Sequence, residues 1–407
     1  MLAARSPGPL SSAAVGAIAV MLLSAAPAWG LDGPGRLVFP LQEKHVHSSS
    51  VVETPEGDLL ACWFRGSGER KADDVEIVGA RLRSGSAEWG SVFPLADTPG
   101  LPDCNPVLFV DPAERLWLFW IVVQANRWEH SVLKYRRAED YGGEGPPRWS
   151  WQDVVHLVPG ERFASAVKAG FEQLRLEEDL WAEYALPYSR MLVEAAGDKR
   201  KRQTGWMTRI HPLALPGGRI LLPLYSDGFN LSLVALSDDL GATWRASAPI
   251  VGLGAVQPSL VQRRDGSLVA YLRDNGGAPQ RVLASTSADG GETWSIASDT
   301  ALPNPGSSVE VIAARDGEET AWVLAYNDVE EGRHRLALAL SDDEGVSWKH
   351  TRRLAQAAPG AGESFSYPSL IQGRDGRIHV TYSCSAPGGN SIAHAAVDLD
   401  WIRAGSR

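Results

Sequence analysis

Cysteine is scarce in this chain: Cys62, Cys104 and Cys384 are the only three among 407 residues. So few, and an odd number, exclude a scaffold stapled by disulfides. All three lie near apolar, strand-like text, which predicts mostly buried thiols, with at least one free or intermolecular. The nine histidines form no HExxH or comparable pattern, so no histidine-held metal centre is expected, while calcium in the Asp-rich turns stays open. No cofactor is expected either. Net positive charge is also missing. The formal charge of −10 argues against nucleic acid as a main partner, and the basic run KRKR at 199–202 reads as a solvated face. Long apolar runs are absent beyond the first thirty residues, and helical periodicity is absent over most of the chain.

The N-terminus is the exception to that rule. Arg5 precedes the apolar stretch AAVGAIAVMLLSAA, and the small residues Ala26, Pro27 and Ala28 follow. A charged, an apolar and a small-residue region in that order make a secretory signal peptide over residues 1–30. The apolar part is short for a membrane span. Cleavage near residues 28–30 predicts a secreted or periplasmic protein of residues 31–407. An uncleaved anchor is the alternative.

What is present is a repeat. SDDLGATW at 237–244, SADGGETW at 287–294 and SDDEGVSW at 341–348 all read S-x-D-x-G-x-[TS]-W. Copies about fifty residues apart define an internal period. An apolar or alternating run precedes each copy: LSLVALS, RVLASTS and RLALALS. These runs predict strands, and the Asp-x-Gly centre predicts a tight turn. The Trp supplies apolar area to anchor the unit. PEGDLLACWF, PAERLWLFWIV, DGSLVAYLRD and DGRIHVTYS keep the same rhythm, a turn and then a strand. Four-stranded units repeated in a ring make a β-propeller. The mature length at about sixty residues per unit predicts six blades. The fold class is therefore all-β, a six-bladed β-propeller.

Residues 160–204 break the pattern. They are rich in helix formers, and Phe171, Leu174, Trp181 and Tyr184 fall near helical spacing. This predicts a helical insertion between blades, lying over the mouth of the ring or along its side.

S-x-D-x-G-x-[TS]-W resembles the Asp-box of sialidases and related propellers. Asp-boxes lie on the outside of such propellers and occur in non-enzymes too, so they speak for fold and not for activity. Sialidases clamp the substrate carboxylate with three arginines. They use a Tyr–Glu pair as nucleophile and base, and an Asp as acid/base. A guanidinium forks onto a carboxylate. A neutral Tyr can approach an anomeric carbon that bears a carboxylate, where an acidic nucleophile would be repelled.

The resemblance assigns roles segment by segment. GRHRLALALSDDEGVSW puts the third arginine on Arg333, with Arg335 as the alternative and Asn327, Asp328 and Glu330 as polar neighbours. SYPSLIQGRDGRIHVTY puts the nucleophile on Tyr367. VQPSLVQRRDGSLVAYLRDN puts the second arginine on Arg273 and Gln257 where the Glu base belongs. Glutamine cannot take the tyrosine's proton, so Asp274, Glu310 and Glu330 become candidates to replace it. HVHSSSVVETPEGDLLACWFRG puts His47 where the first arginine belongs. A protonated His47 can bind an anion, and Arg65 or Arg209 can complete the clamp. GERKADDVEIVGARLR places the acid/base on Asp74 or Asp73. TRIHP and LYSDG add His211, Tyr225 and Asp227 as pocket candidates.

As a set, with NPVLF, GWMTR, QPSL, LRDN, PNPG and SYPS, these motifs look closest to a bacterial branch of sialidase-like proteins. The resemblance spans about residues 40–402. It implies an exported glycoside hydrolase that removes a terminal acidic sugar, sialic or uronic, from a glycan, acting as a monomer. Two other activities fit the same text: a polysaccharide lyase on uronic-acid glycans, and a propeller that binds glycans without catalysis.

Overall fold

Six four-stranded antiparallel sheets follow one another along the chain, and the computed structural model describes residues 33–174 and 186–405. The signal-peptide reading, and Trp181 and Tyr184, lie outside the described residues. Blades 1 to 5 start on His45–Glu53, Asp103–Val110, Leu213–Ala214, Ala255–Gln262 and Glu310–Asp316. Blade 6 starts on Ser364–Gln372. Its fourth strand is Arg36–Leu37, from the other end of the chain, paired with Gly389–Val397. Mixing the two ends in one sheet ties the N-terminal strand into the last blade and closes the ring.

The three Asp-boxes join the third and fourth strands of blades 3, 4 and 5. In the second copy Asp289 Oδ1 accepts from the amides of Glu292 and Thr293, at 3.0 Å each, and from Ser287 Oγ at 2.8 Å. The carboxylate thus satisfies the turn's own donors. Gly291 has φ +90°, and a Cβ there would lie 2.5 Å from Leu221 of the preceding blade. Gly241 repeats this against Trp117 of blade 2, at 2.6 Å. Glycine is therefore required twice over, for the turn and for the close approach. The Trp residues point the same way. Trp244 packs edge-on against Phe119 of blade 2, and Trp348 against Tyr271 of blade 4. Each motif pins its blade to the one before it, rather than only closing its own hairpin.

The innermost strands share a second device. A β-bulge interrupts those of blades 1, 2, 4 and 6, between His47 and Ser50, Cys104 and Val107, Val256 and Ser259, and Ser366 and Ser369. At the bulges Ser48, Asn105, Gln257 and Tyr367 hold φ of +60°, +50°, +55° and +55°. A non-glycine residue in this left-handed region is strained, and three of the four also precede proline. Below the bulge, side chains cross to the next blade. Ser50 Oγ accepts from Leu108 N at 3.0 Å, Ser259 Oγ from Val311 N at 2.9 Å, and Ser369 Oγ from Val51 N at 3.2 Å. In blade 5 Glu310 Oε2 does the same for Leu370 N at 2.9 Å. Amides that the bulges and inner edges leave unpaired are thus satisfied around the ring.

The helical insertion separates blades 2 and 3, as α1 (Glu161–Leu174), α2 (Leu186–Gly197) and α3 (Lys199–Arg202). Phe163 and Val167 of α1 are buried, Phe163 against Trp206 and Phe229, and Phe171 and Leu174 pack at the margin. The basic run is not wholly a solvated face. Lys199, Arg200 and Lys201 are exposed, but Arg202 is buried. Its guanidinium donates to Pro159 O at 3.0 Å and Gly197 O at 2.8 Å and pairs with Glu161, tying the insertion to its own entry. Cys62, Cys104 and Cys384 are all free and buried.

Candidate active site

Three of the four bulges border a cavity of about 280 Å³. Asn105, Gln257 and Tyr367 line it from the bulges themselves. A bulge re-aims a side chain that a regular strand would lay along the blade wall, and strained backbone of this kind gathers at functional sites. The remaining walls come from blade 1 (Glu69, Arg70), blade 2 (Trp128), blade 3 (Tyr225, Asp227, Asn230), blade 4 (Arg273, Asn275) and Tyr188 of α2. The insertion therefore reaches the mouth of the ring.

Tyr367 is the centre of the charge arrangement. Arg273 Nη1 donates to its Oη at 2.9 Å and Nη2 to Asn275 Oδ1 at 3.1 Å. Arg333 stands over the ring, its Cζ 5.3 Å from the centroid, and is held by Gly306 O at 2.9 Å. Burial opposes ionisation of the phenol, but the charges of Arg273 and Arg333 outweigh it and bring Tyr367 below its ordinary value. Tyr225 goes the other way. Burial first, and then the Asp227 carboxylate, hold its phenol well above the ordinary range. Gln257 lies between the two. Its Nε2 is 3.5 Å from Tyr367 Oη, and its side chain also bonds Tyr225. Asn105 Nδ2 donates to Tyr225 Oη at 3.0 Å.

His47 packs its ring on Tyr367, with centroids 4.0 Å apart. Burial pulls its pKa down to about 3, so at neutral pH it is an uncharged ring and adds no cation to the clamp. Arg209 is not on the cavity surface. It is buried beneath Tyr367, its Cζ 4.9 Å from the ring centroid, and donates to Ser49 O at 3.3 Å and Pro368 O at 2.9 Å. Its role in the geometry is to hold two bulges. Arg65 is paired with Glu76 at 2.7 Å and is not among the cavity-lining residues.

Asp73 and Asp74 lie outside the cavity. Asp74 is exposed and accepts from Ser67 N at 2.9 Å and Ser67 Oγ at 2.6 Å, and Asp73 accepts from Asn126 at 2.8 Å. The same loop instead turns Glu69 and Arg70 inward. Glu69 Oε2 lies 3.4 Å from His45 Nε2. Burial works against its charge, but His45, His47 and Arg70 prevail and hold it at about 2. Arg70 pairs with Asp227 at 2.7 Å and stacks on Trp128 at 4.1 Å. Glu69, Arg70 and Trp128 carry no family-like motif in the text, and only the charged loop GERKADD hinted at the first two.

The candidates to replace a Glu base also lie elsewhere. Asp274 caps its own loop, accepting from Gly276 N at 2.6 Å and Arg281 N at 3.1 Å, and burial raises it to about 6. Glu330 pairs with Arg281 at 2.5 Å, and Asn327 ties Arg335 O to Phe365 O. Glu310 joins a chain across the ring's axis: Ser50 Oγ to His211 Nε2 at 3.0 Å, and His211 Nδ1 to Glu310 Oε1 at 2.6 Å. The order matches a serine-hydrolase relay. However, Ser50 is only 1% exposed, and its Oγ already accepts from Leu108 N, as Ser259 and Ser369 do at their own junctions. The chain is a strut between blades 1, 3 and 5.

The family described as "BNR repeat-like domain" matches residues 57–173 and 203–380. No curated protein matches the chain significantly. Among solved structures, the Hadza microbial sialidase Hz136 superposes with a TM-score of 0.64 at 15% identity, over 90% of this chain and 69% of its own. The leech intramolecular trans-sialidase complexed with 2,7-anhydro-Neu5Ac gives 0.65 at 14% identity, over 90% and 70%. A protein of unknown function from Dyadobacter fermentans DSM 18053 gives 0.64 at 15% identity, over 90% and 98%. Likeness at this identity is likeness of fold.

Proposed function

Since the chain belongs to the BNR repeat-like domain family and has the propeller fold of sialidases, we propose that it is an exported glycoside hydrolase that removes a terminal acidic sugar, sialic or uronic, from glycans. The observation that carries this reading is the placement of Tyr367, its oxygen bonded by Arg273 and its ring covered by Arg333 at the floor of a cavity sized for one sugar. Arg273 on the cavity wall fits a carboxylate, and Arg333, which is not among the lining residues, lies over the Tyr367 ring. Beside them stands a phenol whose pKa these charges lower, placed to act as nucleophile on an anomeric carbon. Gln257 lines the cavity, and His47 packs on the ring of Tyr367.

The reading is tested with purified protein on sialyl- and uronyl-linked reporters, beside Arg273→Ala. Turnover that Arg273→Ala loses supports it. No turnover on any acidic glycoside overturns it. Gln257 in the place of a Glu base favours a second reading, β-elimination from a uronic acid with Tyr367 as base. An unsaturated product absorbing in the ultraviolet would select it.

A further inference from the structure

Acid assistance has no owner in the site as described, because Asp73 and Asp74 lie outside the cavity. We propose that Tyr225 is the proton donor to the leaving group, paired with Tyr367 through the Gln257 carboxamide that both phenols share. The inference rests on the hydrolase reading above.

Elimination among the lining residues points to it. Glu69 is held ionised, at about 2, by its neighbours, and a carboxylate has no proton to give at neutral pH. Asp227 is engaged by Arg70 at 2.7 Å. His47 is not among the lining residues and carries no charge at neutral pH. Tyr188 reaches the cavity from α2 rather than from a blade. Tyr225 belongs to the second strand of blade 3 (Ile220–Ser226), and its oxygen accepts from Asn105 Nδ2 at 3.0 Å, which leaves its own hydrogen free to donate. Two titratable groups whose surroundings push their pKa values apart mark the acid and the base of a site. Tyr367 is lowered and Tyr225 is raised. The bridging residue then has a reason to be glutamine. A carboxylate can only accept, and would compete with both phenol oxygens for Arg273. An amide N–H donates to the oxygen that becomes anionic.

The step balances. The bond from the anomeric carbon to the bridging oxygen breaks, and its electron pair stays on that oxygen. The oxygen takes the proton of Tyr225 Oη. Tyr367 in its ionised form bonds the carbon, leaving Tyr225 as the phenolate. Water then attacks the carbon and gives one proton to Tyr225, and Tyr367 departs with its electron pair. Both phenols return to their starting states.

Tyr225→Phe is compared with the wild type on two sets of acidic glycosides. One set has 4-nitrophenol as leaving group and the other a sugar alcohol. A proton donor predicts a loss of about 10²-fold or more on the sugar alcohol and less than about tenfold on 4-nitrophenol, which needs no proton. Equal losses on both sets, or none, overturn the proposal. An inactive wild type overturns the hydrolase reading itself, and is distinguishable on that ground. Phenolate absorbance gives a second arm that needs no substrate. Wild type minus Tyr367→Phe should titrate below the ordinary tyrosine value of about 10, and wild type minus Tyr225→Phe above it. The reverse order overturns the assignment. If Tyr225→Phe does not fold, 3,5-difluorotyrosine at position 225 keeps the shape and makes the phenol more acidic. The alkaline limb of activity should then move to lower pH, and an unmoved limb overturns the proposal.

Discussion

Arg273 Nη1 donates a 2.9 Å hydrogen bond to Tyr367 Oη, joining blade 4 to blade 6 across the floor of the cavity. The bond and the charge behind it favour the phenolate. Arg273→Ala should therefore raise the pH at which Tyr367 ionises. It should also lower kcat/KM on an acidic glycoside by about 10²-fold, the scale of one charge-assisted hydrogen bond of about 3 kcal/mol. Tyrosinate absorbance against a Tyr367→Phe reference reads the first effect, and initial rates read the second. An unshifted titration would sink the idea that Arg273 sets the acidity of this phenol.

Gln257→Glu puts a negative charge beside the same oxygen. Like charge disfavours the ionised phenol, so the Tyr367 pKa should rise and the acidic limb of the rate profile should move to higher pH. If the profile instead keeps its position while the rate rises, the introduced carboxylate is acting as a base, and the arginines alone do not activate Tyr367.

The propeller was legible in the sequence because Asp-boxes are local. Serine, aspartate, glycine and tryptophan at fixed offsets close a turn wherever they occur, and three copies supply the period. Arg273, Arg333, Tyr367, Gln257 and Tyr225 were legible for a related reason: each sits on or beside a strand whose register the repeat fixes. The loop after the second strand of blade 1 was not. Its direction depends on Arg70, which has φ +60° and reaches Asp227 of blade 3. That contact spans 157 residues and leaves no periodic trace. So Glu69 faces inward while the acidic pair Asp73 and Asp74 faces out. Arg209 was legible as an arginine near the site but not as a buried one, because its partners are backbone carbonyls of blades 1 and 6.

Arg209→Met keeps the length of the side chain and removes its donors. The carbonyls of Ser49 and Pro368 would be left buried and unpaired, at about 1–3 kcal/mol each. Removing a buried cation gives back part of its desolvation cost. The expected net loss is about 2–3 kcal/mol of stability, read from denaturant midpoints at an unchanged slope. Unaltered stability would mean that Arg209 does not hold the two bulges.

Asp343 gives the sharpest pH prediction for the fold. It accepts from Ser347 N at 2.8 Å, from Ser347 Oγ at 2.5 Å and from Ser341 Oγ at 2.7 Å. The hydroxyl of Ser347 is the largest influence that brings the carboxyl down to about 2. A folded-state pKa below the unfolded value of about 3.9 adds stability that is fully present above the unfolded value and is lost as pH falls toward 2. The group is largely solvated, so the effect is modest, about 1 kcal/mol, as for the loss of a capping side chain. Asp343→Ala should therefore be less stable than wild type at pH 7 by that amount, and the gap should close as pH falls from about 5 to about 2. Asp239 and Asp289 are lowered by the same contacts in blades 3 and 4, so substituting all three should deepen the gap at pH 7 and leave the acid end unchanged. A gap that persists at pH 2 would show that the carboxylate charge is not what the Asp-box uses to hold its turn.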